Sequence, residues 1–339
     1  MKAYNLYAVN DLRYEEVKYP KCASGWCIVK VKASGICSSD IPRIFQKGTY
    51  SFPTIPGHEF SGIVHEVTDK GNENLIGRKV GIFPLIPCKT CLQCRQGKYE
   101  LCDNYDYLGS RRNGGFAEYV AVPVWNLIEL SDSVSFADAA MMEPLSVSLH
   151  AVKKMQMKGK ETVLIIGSGM IAFAAAQWAK RFGAGSVTVA GRSNEKRIIA
   201  GKIPGIDYMT IDKINNEFDI VLEAVGTNVS IDRAINLAKP GGKIVMMGNP
   251  EGDISLKQNT YWRILRKQLI LVGTWNSSYE KDKESDWSEV KIALENNSIE
   301  VSSLVTHRFS QEKMIDALSL MHEHKEPYCK IMIVWNEEI

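Results

Sequence analysis

Thr162-Val163-Leu164-Ile165-Ile166-Gly167-Ser168-Gly169-Met170-Ile171-Ala172 is the stretch on which the fold turns. Thr162 to Ile166 is a short run of β-branched and aliphatic residues, the pattern of a strand buried on both faces. Gly167 and Gly169 follow with no spacer, and Met170 and Ile171 open an apolar segment that runs to about Phe182, where Gly183 is placed to stop a helix. In a strand–turn–helix of this kind, two glycines permit the tight turn and the close approach of a pyrophosphate. The small Ala172 lets helix and strand pack closely. The helix start offers free N–H donors and the positive end of the helix dipole to phosphate oxygens. The glycine spacing alone is weak evidence; its position between strand and helix makes it specific for a dinucleotide.

Further strands lie downstream: Ser186–Ala190, Asp219–Glu223, Lys243–Met247 and Leu269–Val272, each separated by helical sequence. Alternation of this kind predicts a parallel sheet with right-handed crossovers, a doubly wound Rossmann domain. The second strand ends Val189-Ala190-Gly191-Arg192-Ser193, without the acid that usually receives the ribose hydroxyls of NAD. Gly191 leaves room, Arg192 offers a guanidinium to a ribose phosphate, and Lys196 is close by, so NADP is expected over NAD.

Upstream of Lys153 the texture differs. Trp26–Val31 and Gly62–Val67 read as strands among Gly and Pro turns, which predicts an irregular, mostly β domain. Beyond Trp275 the chain turns helical and ends in a strand-like Ile331–Val334, expected to return to the first domain. The α/β chain therefore divides at 1–152, 153–274 and 275–339.

Cys88, Cys91, Cys94 and Cys102 read C-x2-C-x2-C-x7-C within a lobe at 86–104. Four thiolates this close can surround one zinc and leave no position for water, which makes the site structural. Cys22, Cys27 and Cys329 read as small apolar residues, and the cysteine usage suits a reducing cytoplasm. Three further groups hold potential ligands: Cys37 in Gly35–Asp40, His58 with Glu59 in Pro56–Phe60, and Glu143 before Pro144. A catalytic zinc takes three protein ligands and keeps one position open.

Taken together and in this order, the Gly57-His58-Glu59 signature, the cysteine lobe, Glu143-Pro144 and the glycine turn resemble the zinc-dependent medium-chain dehydrogenase family over nearly the whole chain. The resemblance implies a GroES-like catalytic domain beside the Rossmann domain, two zinc ions per subunit, and hydride transfer to a nicotinamide. It gives Cys37, His58 and Glu143 as catalytic zinc ligands. Glu59 becomes a residue beside the metal or an exchanging ligand, Asp40 an acid that orients His58, and Ser39 the hydroxyl bridging substrate oxygen and the proton path. Glutamate at position 143 is similar to the polyol dehydrogenase branch, where ethanol-type members have cysteine. Many relatives carry a His shortly after the Ser-Asp pair; here Ile41-Pro42 follows, and the resemblance names no terminal proton acceptor. Ser39–Phe45 and Tyr105–Tyr119 are similar to members acting on polyol phosphates, which implies a polyol phosphate or a ketose phosphate as substrate. Arg43, Arg111 and Arg112 are the candidate phosphate ligands, since arginine binds phosphate in bidentate fashion. Trp275 and Asn276 are expected to line the cleft. The alternatives are an unphosphorylated polyol and an NADPH-linked ketose-phosphate reductase.

The balance of the sequence limits the partners. With 41 Lys and Arg against 39 Asp and Glu in 339 residues, the net charge of +2 gives no reason to expect nucleic acid or an acidic membrane surface. No apolar run reaches the roughly 18 residues of a membrane span, and Met1-Lys2-Ala3-Tyr4-Asn5 does not open a signal peptide. A cytoplasmic homodimer or homotetramer is expected, with Leu269–Thr274 as one pairing edge and the cysteine lobe as another surface.

Overall fold

Trp26–Ile36, an eleven-residue strand rich in β-branched and small residues, organises the first part of the molecule. Ile28, Val29 and Val31 on it are fully buried, as suits a pleated surface covered on both faces. It pairs antiparallel with Glu59–Val67, Tyr119–Pro123 and Lys330–Val334. The resulting sheet has seven strands. Its main path runs Val305–Ser310, Lys330–Val334, Trp26–Ile36, Glu59–Val67, Lys79–Ile82, Leu127–Glu129, and Tyr119–Pro123 pairs off it. Ile36, Phe60, Phe116, Met314, Ile333 and Trp335 are among the residues that fill its core.

The computed structural model describes residues 1–335. It separates into two units, Met1–Glu143 with the chain from Ser278 on, and Pro144–Ser277. The breaks fall at 143/144 and 277/278, against the expected 152/153 and 274/275. The first lies inside the helix Met142–Met155, where sequence texture does not change because one buried helix runs through it. Lys330–Val334 pairs within the first unit, with Ile331 opposite Ile36.

The second unit is built on a six-stranded parallel sheet in the order Asp207–Thr210, Ser186–Gly191, Thr162–Ile166, Phe218–Glu223, Ala238–Met246, Ile270–Gly273. Numbered along the chain this is 3-2-1-4-5-6, the Rossmann order, which places a crevice at the carboxyl ends of the strands where the order reverses. Asp207–Thr210 was not expected. It is a short edge strand whose side chains alternate exposed and buried, and half of it is polar. The helix Met170–Arg181 begins directly after the glycine turn, with Gly169 as its N-cap. No helix is long and apolar enough to cross a membrane among the described residues.

Candidate active site

The cysteine lobe is built by short local elements. Cys91 caps the one-turn helix Leu92–Arg95, and its sulfur accepts from the Cys94 amide at 3.5 Å. The Cys88 and Cys102 sulfurs likewise accept from the amides of Cys91 and Cys88, at 3.4 and 3.3 Å. All four sulfurs lie within 4.8 Å of one another, with Cys88–Cys94 at 3.9 Å and Cys91–Cys102 at 4.0 Å. A tetrahedral zinc with Zn–S of about 2.3 Å needs sulfurs about 3.8 Å apart, so the spacing fits. Hydrogen bonds from Thr90 and the neighbouring amides bring the Cys88 thiol down to about 5, whereas burial pushes Cys94 up. The lobe thus favours the thiolate at Cys88 and Cys91 while burial opposes it at Cys94 and Cys102, and no disulfide joins any of the eight cysteines.

A second cluster lies where strands Trp26–Ile36 and Glu59–Val67 come together. Cys37 follows the first strand, His58 and Glu59 open the second, and their ligand atoms lie within 4.8 Å of each other. Gly57 precedes His58 with φ of +92°, and the ring of Phe116 stands 2.3 Å from where a Cβ would be, so this turn admits glycine alone. Asp40 is fully buried. It accepts from the Cys37 amide at 3.0 Å and from Arg43 Nη1 at 2.7 Å, and it faces His58 Nδ1 at 3.6 Å. Ser39 Oγ donates to Cys37 Sγ at 3.3 Å. Glu143, on the first turn of its helix, is buried and accepts from the Tyr107 hydroxyl at 3.2 Å, while the Tyr107 ring stands edge-on to His58. Glu143 is not part of the 4.8 Å group; Glu59 takes the third place there. Both oxygens of Glu59 accept from Lys330 Nζ, the bond to Oε1 measuring 2.7 Å.

The electrostatics describe a site that attracts a cation. Burial works against a charged His58, yet the negative charges of Asp40 and Cys37 hold its imidazole well above the usual range. Burial also lifts Glu143 to about 7, with Glu59 adding to the effect. In both groups the surroundings favour bound protons, and a divalent cation meets the same demand with a thiolate, an imidazole and carboxylates as donors. Among the described residues the buried His58 Nδ1 has no hydrogen-bond partner, Asp40 Oδ1 standing just out of reach at 3.6 Å.

The glycine turn fits a nucleotide in the same way. Gly167 has φ of +125°, which requires glycine. A Cβ on Gly169 would meet no protein atom within 4 Å, so packing alone does not account for glycine there, and the helix N-terminus has no side-chain cap. At the second strand, the space expected beside Gly191 is occupied. A Cβ there would sit 1.9 Å from the Tyr208 hydroxyl, which donates to the Ser193 carbonyl at 2.7 Å. Gly191 is glycine because Tyr208 fills its side, and Arg192 is exposed.

The three candidate phosphate arginines separate clearly. Arg43 is engaged by buried Asp40. Arg112 pairs with Asp106, lies over the Trp26 ring and is half exposed. Arg111 lies 4.4 Å from both the Tyr50 and Tyr105 rings and donates to the Tyr105 carbonyl at 3.1 Å, while its buried Nε has no partner among the described residues. Trp275 is half exposed in the second unit, and the Asn276 side chain accepts from the Ser277 amide.

Residues 23–132 match the alcohol dehydrogenase GroES-like domain, and residues 171–295 match the zinc-binding dehydrogenase domain. Galactitol 1-phosphate 5-dehydrogenase of Escherichia coli K12 is 33% identical over 301 residues, covering 86% of this chain and 87% of that one. The chain belongs to the zinc-dependent medium-chain dehydrogenases.

Solved structures agree with this membership. The crystal structure of galactitol-1-phosphate dehydrogenase from Escherichia coli matches the dehydrogenase with a TM-score of 0.89 and 32% identity, over 98% of this chain and all of that one. A zinc-binding dehydrogenase from Sinorhizobium meliloti, bound to NADP, matches with a TM-score of 0.88 and 26% identity, over 98% of each chain. The alcohol dehydrogenase RspB from Escherichia coli CFT073, complexed with NADH, matches at 0.89 and 26%, over 98% and 99%. The enzyme is thus a zinc-dependent alcohol or polyol dehydrogenase using a nicotinamide cofactor. Three residues of its sites escaped sequence reading. Tyr107 is inside a quoted segment but shows its role only through Glu143. Lys330 and Tyr208 reach their sites by strand pairing that no local pattern encodes.

Proposed function

We propose that this dehydrogenase interconverts a polyol phosphate of the galactitol 1-phosphate type and a ketose phosphate of the tagatose 6-phosphate type, with NADP as the favoured cofactor. The observation that carries the substrate reading is Arg111. Its guanidinium carbon lies 4.4 Å from the centres of two tyrosine rings, without a carboxylate partner among the described residues and with a buried Nε unsatisfied. A guanidinium so fixed loses little freedom on meeting a phosphate. The identity to galactitol 1-phosphate 5-dehydrogenase supports the same reading.

Cys37, His58 and Glu143 would hold the catalytic zinc, with Glu59 beside them, and Cys88, Cys91, Cys94 and Cys102 the structural one. The metal would supply a Lewis acid that lowers the pKa of the substrate hydroxyl. The chain's own groups do the rest. Asp40 fixes the Cys37 turn through its amide and stands 3.6 Å from His58 Nδ1, where its charge orients the ring. Ser39 Oγ, now bonded to the Cys37 sulfur, is the group placed to take the substrate proton at its oxygen and pass it on. The glycine turn at Gly167–Ile171 would receive the pyrophosphate of a nicotinamide cofactor, which would supply the hydride chemistry when bound. Two features support NADP: no acid ends the second strand, and exposed Arg192 is available to a ribose phosphate, with Lys196 nearby. The exposed edge strand Ile270–Gly273 supports a homodimer, and the four-cysteine lobe supports a cytoplasmic protein.

Steady-state kinetics with galactitol 1-phosphate against galactitol, each with NADP and NAD, tests the proposal. A kcat/KM much greater for the phosphate ester is expected, with NADP preferred. Equal rates on the two polyols would remove the phosphate assignment, and a preference for NAD would remove the role given to Arg192.

A further inference from the structure

We propose that Tyr208 is a specificity-determining residue for the cofactor: it closes the space that an acid would need to receive ribose hydroxyls, and it holds the Arg192 turn for a 2′-phosphate. The inference rests on the reading of NADP as the favoured cofactor. In the parallel pairing of Ser186–Gly191 with Asp207–Thr210, Val189 lies opposite Tyr208 and Gly191 opposite Thr210. Residues two apart on a strand share a face, so Tyr208 stands diagonal to Gly191, within reach of a long side chain. Its ring leans that way. A Cβ at position 191 would lie 1.9 Å from the Tyr208 hydroxyl oxygen, 2.8 Å from its Cζ and 2.9 Å from Ser168 Oγ. Gly191 is not among the glycines with positive φ, so the tyrosine and not the backbone calls for glycine there. Fully buried Phe173, on the helix after the glycine turn, lies nearly parallel to the Tyr208 ring with centroids 6.4 Å apart. Tyr208 itself is 7% exposed, so the ring is packed in this position.

The consequence for a dinucleotide is one of charge. The end of this strand is where an acid usually accepts from the ribose hydroxyls of NAD. Here no side chain fits at that position, and the group beside it is a phenol. Burial raises the Tyr208 pKa above its ordinary value, which keeps the phenol neutral. Its proton goes to the Ser193 carbonyl at 2.7 Å. That bond fixes the turn directly after Gly191, the one that carries Arg192. The acid of this turn, Glu195, is exposed and accepts from Ser193 Oγ at 3.1 Å. A carboxylate at position 191 would repel a 2′-phosphate, whereas a neutral phenol does not. A guanidinium on a fixed turn also loses less freedom on meeting a phosphate.

Calorimetric titration of the zinc-loaded enzyme with 2′-phospho-ADP-ribose and with ADP-ribose, which carry no nicotinamide, tests this apart from turnover. The wild type is expected to bind the 2′-phosphate form more tightly. Tyr208→Phe keeps the ring and loses the Ser193 bond. It is expected to weaken 2′-phospho-ADP-ribose by roughly threefold to tenfold, the loss of one neutral hydrogen bond, and to leave ADP-ribose unchanged. Gly191→Asp is expected to bind neither form well, because Tyr208 occupies the space of the new side chain. Gly191→Asp/Tyr208→Ala is expected to bind ADP-ribose about tenfold more tightly than Gly191→Asp, the gain of one hydrogen bond to a charged group. Equal binding of ADP-ribose by Gly191→Asp with and without Tyr208 would overturn the proposal, and so would an unchanged preference in Tyr208→Phe. If Gly191→Asp fails to fold, Tyr208→Phe decides it: a loss confined to the 2′-phosphate form supports the role, and a loss of both forms or of neither overturns it. A wild-type enzyme that binds ADP-ribose as tightly as its 2′-phosphate form would instead remove the NADP reading, and the role of Tyr208 with it.

Discussion

Arg111, Arg112 and Arg43 have the same side chain, but their partners give them different tasks. Asp40 uses Arg43 to balance a buried charge, and Asp106 engages Arg112 at the surface. Arg111 alone of the three is stacked between rings and lacks a carboxylate among the described residues. Arg111→Met is expected to lower kcat/KM for the phosphate ester by roughly tenfold to a hundredfold, the loss of one charge-assisted contact of about 1.5–3 kcal/mol. Arg112→Met is expected to leave it nearly unchanged, as for most exposed ion pairs. Kinetics on galactitol 1-phosphate and galactitol with both variants checks this; equal losses would show that the arginines act through folding and not through phosphate. The residues of the two clusters that could hold a metal were mostly legible at this scale, because thiols and an imidazole packed so tightly along a chain serve a metal far more often than they serve a core. Lys330 was not, since a lysine in a terminal strand has no local sign of a buried partner.

The strands of the second unit show what element-scale patterning reveals and what it misses. Thr162–Ile166, Ser186–Gly191 and Phe218–Glu223 were legible because central parallel strands are apolar on both faces. Asp207–Thr210 was not, because an edge strand with one wet face looks like a loop. The missed strand carries Tyr208, and with it the reason for Gly191. At the opposite ends of the sheet, Asp219 joins three strands: it accepts from the Thr162 amide and hydroxyl at 2.8 and 2.7 Å and from Lys239 at 2.8 Å. The Lys239 contact, followed by the Thr162 amide, lowers its carboxyl from 3.8 to about 2. A depressed acid stabilises the fold above its unfolded pKa, and that contribution disappears as pH falls through the folded value. Asp219→Asn is therefore expected to lower stability at pH 7. Because the pair is over a third exposed, the loss should not exceed about 1 kcal/mol. Urea midpoints for wild type and variant should converge as the pH falls from about 4 towards about 2. A gap that stays constant with pH would show that the bonds of Asp219 do not depend on its charge.

Among the described residues, an apolar edge of the second unit is left uncovered within a single chain. Ile270 and Leu271 on the last strand of the parallel sheet are 51% and 43% exposed, and Tyr261, Trp262 and Leu265 on the preceding helix are about half exposed. Strand pairing with a second copy would cover this edge with two-fold symmetry. Leu271→Lys is expected to shift the protein towards monomer in sedimentation velocity at micromolar concentration; an unchanged assembly would move the interface elsewhere, for instance to the cysteine lobe. The chemistry of the whole enzyme, though, turns on its metal. The most direct test is zinc content per chain, measured with turnover on the same samples of wild type and Cys37→Ser. About two zinc ions per chain are expected in the wild type, with Cys37→Ser losing one of them and its turnover while remaining folded. Retention of full zinc and turnover by Cys37→Ser would contradict the assignment of the catalytic site.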